Sequence, residues 1–430
     1  MNRLFLALAA LLVSVGMALG QRLPLVEFVT PHGISVTLMP SAVQDTVAIA
    51  LAFDCGTACD DPKGPATGTI APAMFLAGAD GKTSSELYES FQDFGGDLNF
   101  SSTPDQIYAS VSAPSAGIEG AVKLVNLVFR KPDFPEKRFL KMRESSARQA
   151  EEAASYPEFR AQKAFLQAGI GDHVYVEALN TSPDRIRAVQ RADLFVWQKR
   201  HLMLKNIIVT VVGKVDQAKA GLLVDTLLDG LPASTDLPPV PAVTFKQGGA
   251  DPIAVAGDQN NQAYVIAGSI FPRAPALSDW MAGLMLNSIF SGDQKSRLFK
   301  DLREATGATY GMQPSINYLE AMELNYVSGR VSKDGLEKTL AIIAKSWAKF
   351  RTDGPTPEEV QNAKVNQINA ISILARNHLG AANTLRDYRT GHWTTDQIAS
   401  IPDVIASVNL NDPAVLNRYF SQNPIVVVAQ

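Results

Sequence analysis

The sequence predicts an α+β fold of two homologous domains. Each is a mainly antiparallel sheet covered by helices, and the two close on one another like a clam shell. Three observations predict it. The same order of elements runs twice along the chain. The two runs meet at a Pro-rich stretch, Leu231 to Gly249 (LPASTDLPPVPAVTFKQGG). Each run mixes strand-like apolar segments with amphipathic helical ones. At 430 residues, 46% of them hydrophobic, the chain is long enough for two cores. It is not a disordered chain, a collagen-like repeat or a small disulfide scaffold. The expected division is 1–20 leader, 21–230 first domain, 231–249 linker and 250–430 second domain.

Each run opens with a β-rich segment, Thr46 to Phe53 (TVAIALAF) in the first and Gln262 to Phe271 (QAYVIAGSIF) in the second. A helix follows, around Thr69 to Leu76 and Ser278 to Phe290. A short amphipathic helix comes next and ends in Gly: Ser84 to Phe94 before Gly95-Gly96, and Ser296 to Ala305 before Gly307. Glycine just past a helix supplies the left-handed cap that other residues resist. Alternating strands follow near Leu98 to Ser112 and Ala308 to Val331. A helix pair then matches Ile118 to Phe129 with Leu336 to Phe350, and its second members start near Pro135 and Pro357. Thr356-Pro357-Glu358-Glu359 is a strong helix start, with an N-cap Thr, Pro at the first helical position and Glu three after the cap. Both runs end in an apolar strand, Ile207 to Val212 and Ile425 to Ala429. Each half therefore reads as helices packed on a mainly antiparallel sheet.

The formal charge of −4, from 39 basic and 43 acidic residues, gives no global attraction to nucleic acid or anionic lipid. At the N-terminus, Arg3, the apolar stretch Leu4 to Leu19 and the small-x-small site Ala18-Leu19-Gly20 read as a cleavable export signal. The expected location is therefore the periplasm or the outside of the cell. No apolar run in the mature chain reaches the roughly 20 residues of a membrane span. Cys55 and Cys59, the only cysteines, either close a small loop disulfide in an oxidising compartment or stay as two thiols. The disulfide is the favoured reading.

Local catalytic motifs are missing. None of His32, His173, His201, His378 and His392 starts H-E-x-x-H or H-x-x-E-H, the helical spacings that put two imidazoles on one metal. There is no G-x-S-x-G elbow and no P-loop.

The ordered set of phrases resembles the insulinase (pitrilysin) family of inverted zinc metallopeptidases over nearly the whole mature chain. Lys82 to Leu87 and Phe94 to Asn99 are similar to the segment after that family's zinc helix. His173-Val174-Tyr175 with Asn180-Thr181, and Asp193-Leu194 through Val215, are similar to later phrases. Ser296-Arg297-Leu298-Phe299, Leu302-Arg303-Glu304, Gly307 and Tyr310 form the best single match. The departure is decisive. The H-x-x-E-H helix should lie around Thr69 to Leu76, yet Cys59 to Lys82 contains neither His nor Glu. Glu144, Glu151 and Glu152 fall near the third ligand's place, but a carboxylate alone is no zinc site.

What the resemblance implies is one chain of a split peptidase. Arg303 and Tyr310 match the family's Arg/Tyr pair, which faces the zinc of the other half. A guanidinium holds a peptide carbonyl or carboxylate, and a phenol donates to a developing oxyanion. The expectation is the non-zinc subunit of a heterodimeric periplasmic zinc metallopeptidase, inactive alone. Zinc would reside in a zinc-motif homologue of the same family, and the substrate would be a peptide. An edge at Leu98, Asn99, Phe100 and Ser101 would accept that peptide as an added strand. The alternative is a degenerate homologue that serves as a scaffold or peptide-binding protein.

Overall fold

The computed structural model of the chain describes residues 22–430 except 247, 250, 259–260, 294, 307–311 and 421–422. The first unit opens with β1 (Val26–Val29), β2 (Ser35–Pro40) and β3 (Thr46–Asp54). Helix α1 (Thr67–Met74) leads through a two-residue ladder, β4 (Gly78–Ala79) with β5 (Lys82–Thr83), into α2 (Ser84–Asp93). A hairpin of β6 (Asp97–Ser102) and β7 (Gln106–Pro114) follows. Then come α3 (Ile118–Arg130), α4 (Glu136–Ser155), α5 (Pro157–Ile170), α6 (Arg191–His201), β8 (Ile208–Gly213) and α7 (Gln217–Leu228). The second unit holds β9 (Ile253–Val255), β10 (Gln262–Pro272), α8 (Leu277–Ser291), α9 (Arg297–Thr306), β11 (Met312–Tyr318) and β12 (Met322–Ser332). It continues with α10 (Leu336–Asp353), α11 (Pro357–Ser372), α12 (His378–Arg389) and β13 (Ile425–Ala429).

The strand orders reveal the duplication. The first sheet runs β1-β2-β8-β3-β7-β6 and the second runs β9-β13-β10-β12-β11. Setting β2 against β9, β8 against β13, β3 against β10, β7 against β12 and β6 against β11 superposes the two orders, with β1 as an extra edge. The pairing sense agrees too. β2 is parallel to β8 and β9 is parallel to β13, while the other corresponding pairs are antiparallel. Helix starts are encoded locally, with capping boxes at Thr83/Glu86 and Thr356/Glu359.

Strand β3 shows how the sequence builds both faces. Its side chains alternate across the sheet, so Val47, Ile49, Leu51 and Phe53 enter the first unit's own core. Ala48 and Ala50 face the other way, against Ala381, Ala382 and Leu385 of α12, a helix from the second unit. The small residues let that helix approach closely. Thr210 on β8 donates its hydroxyl to the Ala382 carbonyl at 2.7 Å. At the start of α12, buried His378 has Nδ1 2.9 Å from Thr46 Oγ1 and from the Thr46 carbonyl, and Nε2 2.9 Å from Ser41 Oγ.

The exchange is reciprocal. Helix α5 of the first unit packs Phe165, Leu166 and Ile170 on Ile266, Ile270 and Val427 of the second sheet. A β-carbon on Gly169 would come within 2.7 Å of the tip of the Ile270 side chain, so helix and sheet approach closely at this crossing. The two units thus face each other as in a clam shell, each lending a helix to the other's sheet. The order of elements along the chain alone would assign each helix to its own half.

Candidate functional site

Helix α1 occupies the place where the zinc motif was expected. Of its eight residues, Thr67, Gly68, Ile70, Ala71, Pro72 and Met74 are buried. That leaves Thr69 and Ala73, one turn apart, on the side turned away from the core. These are the i and i+4 positions of an H-x-x-E-H frame, and Pro72 stands at the glutamate's place. A hydroxyl, a methyl and a pyrrolidine ring supply no zinc ligand of the usual kind. Among the described residues, no group of three or more His, Cys, Asp or Glu is placed to hold a metal. The residues do not fit a zinc ion.

The helix is held by contacts that replace what its sequence removes. Pro72 has no N–H, so the Gly68 carbonyl four residues earlier loses its helical donor. Ser102 of β6 supplies one, donating its hydroxyl to that carbonyl at 2.9 Å. Asp60 accepts the Gly68 N–H at 2.9 Å. Burial pushes its carboxyl up to about 7, against the lowering effect of that hydrogen bond and of Arg185. The disulfide Cys55–Cys59 closes the loop just before this segment.

The carboxylates of α4 are engaged elsewhere. Arg187 pairs with Glu151 at 2.5 Å and with Glu144 at 3.6 Å, and the Tyr156 hydroxyl donates to Glu152 at 2.8 Å. The Arg187 hydrogen bond holds the Glu151 carboxyl below its ordinary range.

Beside α1 lies the sheet edge. Strand β6 pairs with β7 on one side and, among the described residues, with no strand on the other. Leu98 and Phe100 turn inward, the latter 4.7 Å from the Phe75 ring, while Asn99 and Ser101 are exposed. The edge therefore presents backbone donors and acceptors along the strand that also carries Ser102.

In the second unit, α9 buries Leu298, Phe299 and Leu302, and Arg303 lies on its exposed side. The helix is fixed by Arg297, which makes a two-pronged contact with Glu359 of α11 at 2.7 and 2.5 Å. Tyr310, its expected companion, lies outside the described residues.

Between the units is a polar cavity of about 600 Å³. Asp105, in the β6–β7 turn, accepts the Tyr175 hydroxyl at 2.5 Å and the Glu320 N–H, from the β11–β12 turn, at 2.8 Å. Glu320 also pairs with His392 at 3.6 Å. Burial raises the Asp105 and Asp54 carboxyls, and Glu320 raises the His392 imidazole. These groups come from positions 54, 105, 175, 320 and 392, so no local motif could announce them. Pro238 and Pro239 of the stretch between the units line the same cavity.

Comparison with known proteins decides the family. The sequence model of the insulinase peptidases (peptidase family M16) matches residues 36–180, and that of the M16 inactive domain matches residues 188–366. This chain belongs to the insulinase (M16) family. It is 26% identical over 118 residues to the uncharacterized zinc protease YmxG of Bacillus subtilis, covering 27% of this chain and 29% of that protein. It is 20% identical over 194 residues to a probable mitochondrial-processing peptidase beta subunit of Arabidopsis thaliana, covering 43% and 35%. The chain thus spans about a third of the length of these curated relatives. Among solved structures, a Helicobacter pylori protease is similar with a TM-score of 0.81 at 17% identity, covering 95% of this chain and 100% of that one. A peptidase M16 inactive domain from Pseudomonas fluorescens gives 0.76 at 19%, covering 94% and 97%. The periplasmic protease PqqL of Escherichia coli gives 0.80 at 16%, covering 94% of this chain and 45% of its own. At these identities the likeness is one of fold. The M16 fold is therefore intact in this member, and the metal frame on α1 is replaced. No helix among the described residues is long and apolar enough to cross a membrane.

Proposed function

We propose that this M16 chain is the non-zinc subunit of a two-chain periplasmic metallopeptidase. The observation that carries the reading is α1: an M16 fold keeps its helix, but with Thr69, Pro72 and Ala73 in the metal frame. The partner would be a zinc-motif homologue of the same family, and zinc would belong to it. This chain would contribute Arg303 and Tyr310 from its second domain. Arg303 would hold a peptide carbonyl or carboxylate, and the Tyr310 phenol would donate to a carbonyl oxygen as charge builds on it. The peptide would add as a strand along Leu98, Asn99, Phe100 and Ser101. The domain limits 21–230 and 250–430, joined by 231–249, belong to the same reading.

Three facts support it. Residues 188–366, running from the end of the first domain through much of the second, match a domain described as inactive. One relative is named as a subunit of a processing peptidase. The similar PqqL is named as periplasmic, which agrees with a cleavable leader at 1–20. The test is to purify the chain alone, a zinc-motif homologue from the same genome alone, and the two together. Each sample is assayed for metal content and peptide cleavage. The expected result is no stoichiometric zinc on this chain and cleavage that rises only in the mixture. A chain that binds the homologue without changing cleavage would be a scaffold.

A further inference from the structure

A second cavity, of about 450 Å³, opens where the α4–α5 elbow meets the second sheet. Its walls come from the end of α4, the start of α5, β10 and β12. Tyr156 and Phe159 line it from the elbow, Tyr264 and Tyr326 from the sheet. All four rings are partly exposed, and Tyr156 is 46% exposed. The rest of this sheet face is covered by α5, with Phe165 packed 5.3 Å from Tyr326. Together the four rings give this junction a mostly apolar lining that stays open to solvent.

The charges at the rim are already matched to each other. Arg330 donates through Nε to Glu158 at 2.8 Å and through Nη1 to Asp258 at 3.4 Å, and its Nη2 lies 2.6 Å from Glu158. The Tyr156 hydroxyl is spent on Glu152. What the cavity offers a visitor is therefore mainly ring surface, with Glu158 Oε2, a buried oxygen that has no hydrogen-bond partner, beside it. Its volume lies within the range of about 300–1,000 Å³ typical of ligand pockets. Aromatic faces pair best with another ring, offset or edge-on.

We infer that this cavity takes one bulky aromatic side chain of a bound polypeptide. The inference rests on the peptide-handling reading above, and it adds a preference for aromatic residues outside the β6 edge. The exchanged helix α5 and the second sheet build the cavity together, so it exists only when the two units are packed as they are here.

The test uses the isolated full chain with N-acetyl-tryptophanamide as probe, measured by titration calorimetry or ligand-observed NMR. N-acetyl-lysinamide is the control. Ala153, on the exposed helix α4 at the rim, gives a filling variant that leaves the core alone. The expected result is saturable binding of the tryptophan amide, at least tenfold weaker in Ala153→Trp and in Tyr326→Ala, with an unchanged far-UV spectrum for Ala153→Trp. The lysine amide should bind at least tenfold less tightly. No saturable binding to the wild-type chain, equal binding in the Ala153→Trp variant, or tighter binding of the lysine amide would each overturn the inference. The measurement needs neither partner nor catalysis. Failure of the two-chain reading and failure of this one are therefore separately visible.

Discussion

Removing the Ser102 hydroxyl should cost stability only because Pro72 is present. The hydroxyl donates at 2.9 Å to the Gly68 carbonyl, which Pro72, lacking an N–H, cannot serve. Gly68 is buried, so Ser102→Ala leaves an acceptor without a donor, at a cost of about 1–3 kcal/mol. In a Pro72→Ala background the helical N–H returns to that carbonyl, and the same Ser102→Ala change should cost no more than about 0.5 kcal/mol. The predicted coupling in the double-mutant cycle is then about 0.5–3 kcal/mol, the range seen for residues that share a hydrogen-bond network. The cycle does not depend on what Pro72→Ala does by itself. The assay is equilibrium urea unfolding of the four proteins, followed by circular dichroism. A Ser102→Ala cost that is the same in both backgrounds would refute the reasoning, since the hydroxyl would then not be replacing the missing donor.

Two further outcomes follow from the same contacts. Asp60 keeps a proton in the folded chain up to about pH 7, whereas its ordinary value is 3.8. Its contribution to stability is therefore full below about pH 4 and is lost as pH rises to about 7. Asp60→Asn should flatten that fall, measured as the difference in unfolding free energy between variant and wild type from pH 4 to 7; an unchanged difference across the range would count against it. Burial lowers the His201 imidazole to about 4, so its own effect runs the opposite way between about pH 4 and 6.5, which is why the variant must be read against the wild type. Leu385 of α12 is fully buried against the other unit's sheet, and Leu385→Ala should cost about 2–5 kcal/mol. Because the helix is shared, a domain-resolved probe such as hydrogen exchange should show protection lost in β3 and β8 as well as in the second unit; loss confined to residues 250–430 would argue against a shared core.

Much of the fold could be read from the chain because each element carries its own signal. The Thr356/Glu359 box starts α11, and the alternation of large and small residues in Thr46 to Phe53 marks a strand buried on both faces. The alanines of that strand carry a further signal: small residues at every second position say that something packs close on that side. They do not say that it is α12, because helix exchange is set by packing between segments more than 300 positions apart. The departure on α1 was readable as an absence of His and Glu. Its register was not, and it became clear only when Thr69 and Ala73 proved to be the residues turned away from the core. The edge at β6 needed the sheet order, and the Asp105–Tyr175–Glu320 contacts needed two hairpin turns brought together. The Arg303 helix was legible through its apolar spacing, whereas the Arg297–Glu359 contact that anchors it joins two separate helices.

The most direct test of the account is peptide cleavage by the mixture of this chain with a zinc-motif homologue, comparing wild type with Tyr310→Phe and Arg303→Ala. Lys338→Ala serves as the control. Loss of one oxyanion donor lowers turnover by on the order of 100-fold or more. Tyr310→Phe should therefore reduce turnover by about that factor with assembly unchanged. Arg303→Ala should also weaken peptide binding, and Lys338→Ala should do little. Cleavage at the wild-type rate by correctly assembled Tyr310→Phe and Arg303→Ala proteins, or cleavage by this chain alone with one zinc bound, would contradict the account.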